Sequence, residues 1–120
     1  VIDDQWGAPT GAELLADVTA HAIRHLQQCP QDAGLYHCVA AGETNWHLYA
    51  KYVLAQAQQA QPAIELKATE VVPVPTSAFP TPARRPHNSR LNTQKLQATF
   101  GLTLPHWQQG VVRMLQEALA

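Results

Sequence analysis

Val1-Ile2-Asp3-Asp4-Gln5-Trp6-Gly7-Ala8-Pro9-Thr10-Gly11-Ala12-Glu13 contains the change of secondary structure on which the fold turns. Val1 and Ile2 begin an extended segment, the two aspartates end it, and Gln5 to Pro9 form a loop shaped by a glycine and a proline. Thr10-Gly11-Ala12-Glu13 then has the form of a capping box, in which the threonine hydroxyl accepts from the Glu13 amide while the Glu13 carboxylate reaches back. A first helix is therefore expected to start here. Leu14, Leu15, Val18, Ala22, Ile23 and Leu26 recur at three- and four-residue spacing and give an apolar stripe about 100° wide that stops before Pro30. The chain opens on a strand and without a methionine, which predicts a piece of a longer protein.

Downstream, Gly34-Leu35-Tyr36-His37-Cys38-Val39-Ala40 is a short β-prone run broken by Gly42, and it predicts a second strand. Helical period returns from Asn45 in Trp46, Tyr49, Ala50, Val53, Leu54 and Ala57, and the Ala/Gln-rich tail carries a second helix over about 45 to 60, short of Pro62. Trp46 and Trp107 both stand at spacings that suit helix packing. Ile64 to Val74 is partly alternating and reads as an extended segment leading into a loop. Pro73, Pro75, Pro80, Pro82 and Pro86 then crowd Val72 to Arg90, which denies the chain a helix and fixes many φ angles. Stiff loops of this kind often carry function. Asn92 is placed to cap a short helix, with Leu91 and Leu96 as a hydrophobic staple and Gly101 as the stop. Pro105 opens a last helix, on which Trp107, Val111, Met114, Leu115 and Ala118 share one face.

The 120 residues, 46% hydrophobic and 14% charged, suit one small domain over residues 1–120 and are too few for two. A formal net charge of −1, with no stripe of Lys or Arg, offers no field for a nucleic-acid backbone. No apolar run approaches the roughly 20 residues that cross a bilayer, and the first residues lack the order of a secretion signal, so a soluble protein without a membrane partner is expected. Cys29 and Cys38 fit neither a zinc knuckle nor a disulfide framework and read as reduced. His21 and His25 lie one helical turn apart, but with no E-x-x-H context and no third ligand at a sensible spacing they read as helix-surface residues, not as a metal site.

Two catalytic signatures are missing. No G-x-G-x-x-G or G-x-x-G-x-x-G turn is present to bring a pyrophosphate onto a helix N-terminus. Tyr36, Tyr49 and Tyr52 are followed four positions on by Ala40, Val53 and Gln56, so the tyrosine-lysine pair that transfers protons in short-chain dehydrogenases is absent.

Four stretches, in order and at the right spacing, nevertheless resemble the C-terminal part of the dTDP-4-dehydrorhamnose reductase family, an extended branch of the short-chain dehydrogenases. They are Val1 to Thr10, Gly34-Leu35-Tyr36-His37, Asn45-Trp46-His47-Leu48-Tyr49-Ala50, and Pro82-Ala83-Arg84-Arg85-Pro86-His87-Asn88-Ser89-Arg90-Leu91. The resemblance runs from Val1 to the Trp107 helix. It implies an α/β fold, namely the substrate-binding part of such an enzyme, made of helices with a few short strands and lacking the Rossmann domain. In the complete enzymes an N-terminal Rossmann domain holds NADPH or NADH and supplies the catalytic threonine, tyrosine and lysine. They reduce dTDP-4-dehydro-L-rhamnose to dTDP-L-rhamnose in the cytoplasm, for surface polysaccharides such as the lipopolysaccharide O-antigen. The implied partners are the dTDP-sugar, the Rossmann domain that would cover part of this chain, and a second subunit in a homodimer. This chain is not expected to be active alone.

A nucleotide sugar carries two negative charges on its diphosphate, so its site needs a cation or amide donors there and polar groups for base and sugar. Arg85 is the first choice for the anion, beside Asn88 and Ser89 as uncharged donors. It could equally belong to a solvated basic cluster with Arg84 and Arg90, or pair with a carboxylate of the other domain. Gln5, Trp6 and Thr10 lie where a strand ends and a helix begins, the edge at which open α/β folds bind ligands. Some members of the family are similar in binding a divalent ion such as Mg2+ near a subunit interface, and Glu13 and Glu117 stand at the matching positions, although the capping box and a solvated helix face also explain them. Two other roles stay open at this point. One is a non-catalytic regulatory subunit similar to the β-subunit of methionine adenosyltransferase, and the other is a free-standing helical interaction module.

Overall fold

A computed structural model describes all 120 residues as four α-helices around a very small antiparallel sheet. The elements are β1 (Trp6–Gly7), α1 (Ala12–Gln28), a 3-10 turn (Pro30–Asp32), β2 (Thr44–Asn45), α2 (Trp46–Ala60), a second 3-10 turn (Thr76–Ala78), α3 (Gln94–Phe100) and α4 (Trp107–Ala118). β1 pairs with β2 with Trp6 opposite Asn45 and Gly7 opposite Thr44. The α/β class and the second helix are as the sequence predicts. Asn45 is the N-cap of α2, its side-chain oxygen accepting from the Leu48 amide at 2.8 Å.

Two apolar clusters hold the helices together. One joins α2 and α4 through Ala40, Ala57, Trp107, Val111 and Leu115, and the other joins α1 to α3 through Val18, Leu96 and Leu104. Trp107 is the packing residue its spacing implied, whereas Trp46 is 55% exposed and is not. Met114, Leu15 and Ile23 are exposed as well, so the apolar stripes of α4 and α1 are wider than the surface that covers them. Only ten of the 120 residues are buried and the radius of gyration is 17.4 Å, against about 14 Å for a compact domain of this length. Much of the chain's apolar surface therefore has no partner within the chain.

Several local expectations are corrected. The expected strand at Val1-Ile2 is reduced to a single bridge from Ile2 to Val74, and the first strand lies at Trp6–Gly7, inside the expected loop. The ladder stops because Thr76, the next residue whose amide would face this strand, donates instead to the Asp4 carboxylate and opens the second 3-10 turn. The run from Gly34 to Ala40 is not a strand either, because its polar groups are satisfied one at a time. Lys95 Nζ donates to the Leu35 carbonyl at 2.8 Å, and the Ala40 amide donates to Thr10 Oγ1 at 3.0 Å.

The capping box does not form. Gly11 is the N-cap of α1 and no side chain caps it. The Thr10 hydroxyl donates to the Ala8 carbonyl at 3.1 Å and accepts from Ala40, so a long-range tie has taken the group that a local cap would use. At α3 the N-cap is Thr93 and not Asn92, although Asn92 Oδ1 still accepts from the Gln94 amide at 2.9 Å. Leu91 is exposed and stands outside the cluster that buries Leu96, so no staple is closed. Gly101 ends α3 in the left-handed region, at φ 63°, as expected. Pro105 sits one residue before the N-cap of α4, which is His106, its Nδ1 accepting from the Gln108 amide at 3.3 Å.

No helix is long and apolar enough to cross a membrane.

Candidate functional site

β1 is paired on both sides, and this organises the site. On one side it meets β2, which brings Gln5 to Thr10 against the start of α2. On the other, the Trp6 amide donates to the His87 carbonyl at 2.8 Å and the Ser89 amide donates to the Trp6 carbonyl at 2.7 Å. The proline-stiffened loop is thus held as a short extra strand beside Trp6, with Asn88 as its bridge partner.

A cleft of about 800 Å³ opens between these three segments, a size suited to a small organic ligand. Five of the six residues singled out from sequence line it: Gln5, Trp6, Thr10, Arg85 and Ser89. Asn88 does not. Its side-chain oxygen accepts from the Arg90 amide at 3.0 Å and from Arg90 Nε at 2.9 Å, and it shapes the loop. Arg90 in turn pairs with Glu43 at 3.3 Å. Arg85 is exposed at the cleft, and none of the ion pairs in the chain includes it. The notional cluster of Arg84, Arg85 and Arg90 is therefore divided, with one member neutralised and Arg85 left at the cleft.

Thr10 borders the cleft with its hydroxyl already committed at both ends. Gln5 is half committed, since Nε2 donates to Thr76 Oγ1 at 3.2 Å while Oε1 keeps its acceptor capacity. Next to Gln5 but outside the cleft, the Asp4 carboxylate accepts from the Thr76 hydroxyl at 2.5 Å and from the Thr76 amide at 3.0 Å. The side-chain hydrogen bond from Thr76 and then the backbone one hold the Asp4 carboxyl below the usual carboxylate range, with a smaller contribution from His87. His87 Nδ1 lies 3.7 Å from the same carboxylate.

Trp46, Tyr49, Thr44 and Asn45 also line the cleft and were not singled out. Trp46 projects an exposed ring edge-on to Tyr49, with ring centroids 6.1 Å apart. One signal could have found it: Trp46 is the first residue of α2 directly after a strand, the same kind of edge that selected Gln5 to Thr10. Glu13 and Glu117 are not gathered into a ligand set. Glu13 folds over Gly11, and Glu117 pairs with Arg113 one turn earlier at 3.3 Å.

His25 is not the plain surface residue that its sequence suggested. It is half-buried, its Nε2 is 2.7 Å from Asp32 Oδ2, and Cys29 stands beside both. Both cysteines are free thiols, and burial pushes the Cys38 thiol up.

Comparison with known proteins adds to this geometry. Residues 1–120 match the model of the RmlD substrate binding domain. The chain is 62% identical over 117 residues to a dTDP-4-dehydrorhamnose reductase of Shigella flexneri, covering 98% of this chain and 38% of that protein. It is 62% identical, with the same coverage, to the enzyme of that name from Salmonella typhimurium. Among solved structures it is similar to a dTDP-4-dehydrorhamnose reductase from Clostridium acetobutylicum, with a TM-score of 0.82 and 27% identity over all of this chain and 38% of that one. The reductase of that name from Bacillus anthracis, solved in complex with NADP, superposes with a TM-score of 0.77 at 28% identity, over 98% of this chain and 37% of that one. The chain thus spans about 38% of the length of the curated relatives it matches.

Proposed function

This chain belongs to the RmlD substrate binding domain family, and we propose that its cleft is the nucleotide-sugar site of a reductase that converts dTDP-4-dehydro-L-rhamnose to dTDP-L-rhamnose. The observation that carries the reading is Arg85. It is a guanidinium free of any ion pair within the chain, on a loop clamped to β1, at the mouth of a cleft of about 800 Å³. A diphosphate matches its fork of donors. Ser89 and the free carbonyl of Gln5 offer uncharged contacts to sugar hydroxyls or to base edges, and the exposed ring of Trp46 offers a flat face to a pyrimidine.

The residues present do not fit a dinucleotide. The sheet consists of two two-residue antiparallel strands, with no glycine turn leading from a parallel strand into a helix. In this proposal the NADPH or NADH that serves as hydride donor is held by a Rossmann domain elsewhere in the protein, and residues 1–120 form one substrate-binding domain. What this chain does is bind the sugar nucleotide and hold its non-reacting diphosphate, so that the keto group is presented to that domain. The exposed apolar side chains, among them Leu15, Ile23, Val72 and Phe79, supply surface for the Rossmann domain or for a second copy of the protein. The same reading places the protein in the cytoplasm, in the supply of O-antigen precursors. The names of the relatives favour it over a regulatory subunit.

The test is calorimetric titration of dTDP into the full-length protein. Arg85→Ala should weaken binding by about 1.5–3 kcal/mol, a loss of one charge-assisted contact. Arg85→Lys should recover part of it, keeping the charge but not the fork. In steady-state assays the loss should fall on KM for the sugar nucleotide, because a contact to a non-reacting group binds ground state and transition state alike. A folded Arg85→Ala protein with unchanged dTDP affinity and unchanged KM defeats the reading.

A further inference from the structure

At the end of α1 remote from the cleft, three side chains of different donor chemistry converge. We propose that His25, Cys29 and Asp32 form a binding site for one borderline transition-metal dication, of which Zn2+ is the type. Their ligand atoms all lie within 4.8 Å of one another. Around a tetrahedral zinc, with bonds of about 2.0–2.1 Å to nitrogen and about 2.3 Å to sulfur, ligand atoms sit about 3.3–3.6 Å apart. The His25–Asp32 contact of 2.7 Å must open by well under 1 Å, and the thiol, within 4.8 Å of both partners, must close by at most roughly 1.3 Å to meet that geometry, both within reach of side-chain rotation.

Local structure preorganises the three. Cys29 is the C-cap of α1, with its amide donating to the His25 carbonyl, and the Asp32 amide donates to the Cys29 carbonyl at 3.0 Å, so one turn of helix and one 3-10 turn set all three backbones. The Tyr36 hydroxyl donates to the Asp32 carbonyl. Phe100 meets the His25 ring edge-on, with centroids 5.1 Å apart. His25 and Asp32 are only 29% and 35% exposed, so the site is sheltered yet open to an arriving ion.

The electrostatics favour a dication. The C-terminal end of a helix carries partial negative charge, and a cation there is stabilised. A thiolate, a carboxylate and a neutral imidazole together balance a 2+ charge, which limits the desolvation cost. The His25–Asp32 hydrogen bond alone would account for two of the groups, but it leaves the convergent thiol without a role. The donor set selects against hard ions: sulfur and imidazole suit zinc, cobalt or copper, whereas magnesium and calcium want oxygen. On binding, the Cys29 thiol gives its proton to solvent, the imidazole keeps its proton on the other ring nitrogen, and water completes the fourth position. From sequence alone His25 lacked a third ligand. It is the 3-10 turn after the helix that brings Asp32 back to it.

The experiment uses Co2+ as an optical probe on the reduced full-length protein. Titration with cobalt chloride should raise a near-ultraviolet thiolate-to-cobalt absorption that saturates at one ion per chain and is displaced by one equivalent of Zn2+. Cys29→Ser should abolish the band, while Cys38→Ser and His21→Ala keep it. Outer partners of metal ligands are already worth 10–100-fold in affinity, so His25→Ala and Asp32→Asn should each weaken Zn2+ binding by at least about tenfold. Thermal melts of the variants check that they fold. Absence of a saturable thiolate band in the wild-type chain overturns the proposal whatever the variants do. So does a band that survives Cys29→Ser, one lost in Cys38→Ser or His21→Ala, or a folded His25→Ala and Asp32→Asn pair with unchanged Zn2+ affinity.

Discussion

Replacing Thr10 tests the long-range tie that displaced the expected helix cap. In the wild-type chain its hydroxyl accepts from the Ala40 amide at 3.0 Å and donates to the Ala8 carbonyl at 3.1 Å. Ala40 is 5% exposed and belongs to the cluster around Trp107, so water cannot readily replace the lost acceptor. Thr10→Ala therefore leaves a buried N–H unsatisfied, at about 1–3 kcal/mol, and removes a second, part-exposed bond worth about 0.5–1.5 kcal/mol. We expect a net loss near 2–3 kcal/mol, about twice what a missing N-cap costs. Thr10→Ser keeps both hydrogen bonds and should lose under about 1 kcal/mol, chiefly for one methyl group. Urea melts of the three proteins, compared at equal m-value, give these differences. A Thr10→Ala protein within about 0.5 kcal/mol of wild type would refute the tie, since surface changes of no consequence fall in that range.

The two tryptophans should separate binding from stability. Trp107→Ala removes a ring that is 5% exposed and should destabilise by about 3–5 kcal/mol, while Trp46→Ala, at 55% exposure, should leave the melt nearly unchanged and weaken dTDP by about 1–3 kcal/mol. Equal effects of both on the melt would count against the cleft assignment. The Asp4 carboxyl is held below its ordinary value of 3.8 by Thr76, so the tie contributes fully above that value and is lost as the pH falls through the lower folded one. The gap in urea midpoint between wild type and Asp4→Asn should shrink on acidification, and a gap independent of pH would rule the tie out. Residues 1–120 alone should show no saturable binding of NADPH by fluorescence titration, because no strand, glycine turn and helix are arranged for a pyrophosphate. Micromolar binding would show that this chain carries a cofactor site of another kind.

Local chemistry was readable wherever a residue's role is settled within one turn of chain. Gly101 at a left-handed helix stop, the period of Trp107, Val111 and Leu115, and the prolines that stiffen Val72 to Arg90 act through neighbours a few positions away. Two stretches that contribute to the cleft lining, Gln5 to Thr10 and the loop carrying Arg85 and Ser89, were also legible as patterns. Tertiary structure decided every group that had more than one partner to choose from. Thr10 could cap its own helix or tie down Ala40, and the buried amide of Ala40 won, because a first-turn N–H has water as an alternative and a core amide has none. Gly34 to Ala40 had the composition of a strand and no neighbouring strand to pair with, so it stayed irregular. Trp46 had helix-core spacing, but it starts α2 at the sheet edge, where no other element covers it, and its ring faces the cleft. Asp32 lies seven positions from His25, a spacing that in a continuous helix would share a face but leave the two about 10 Å apart. Only the turn between them brings the carboxylate back to the imidazole and the Cys29 thiol, because a reversal of the chain creates neighbours that periodicity does not encode.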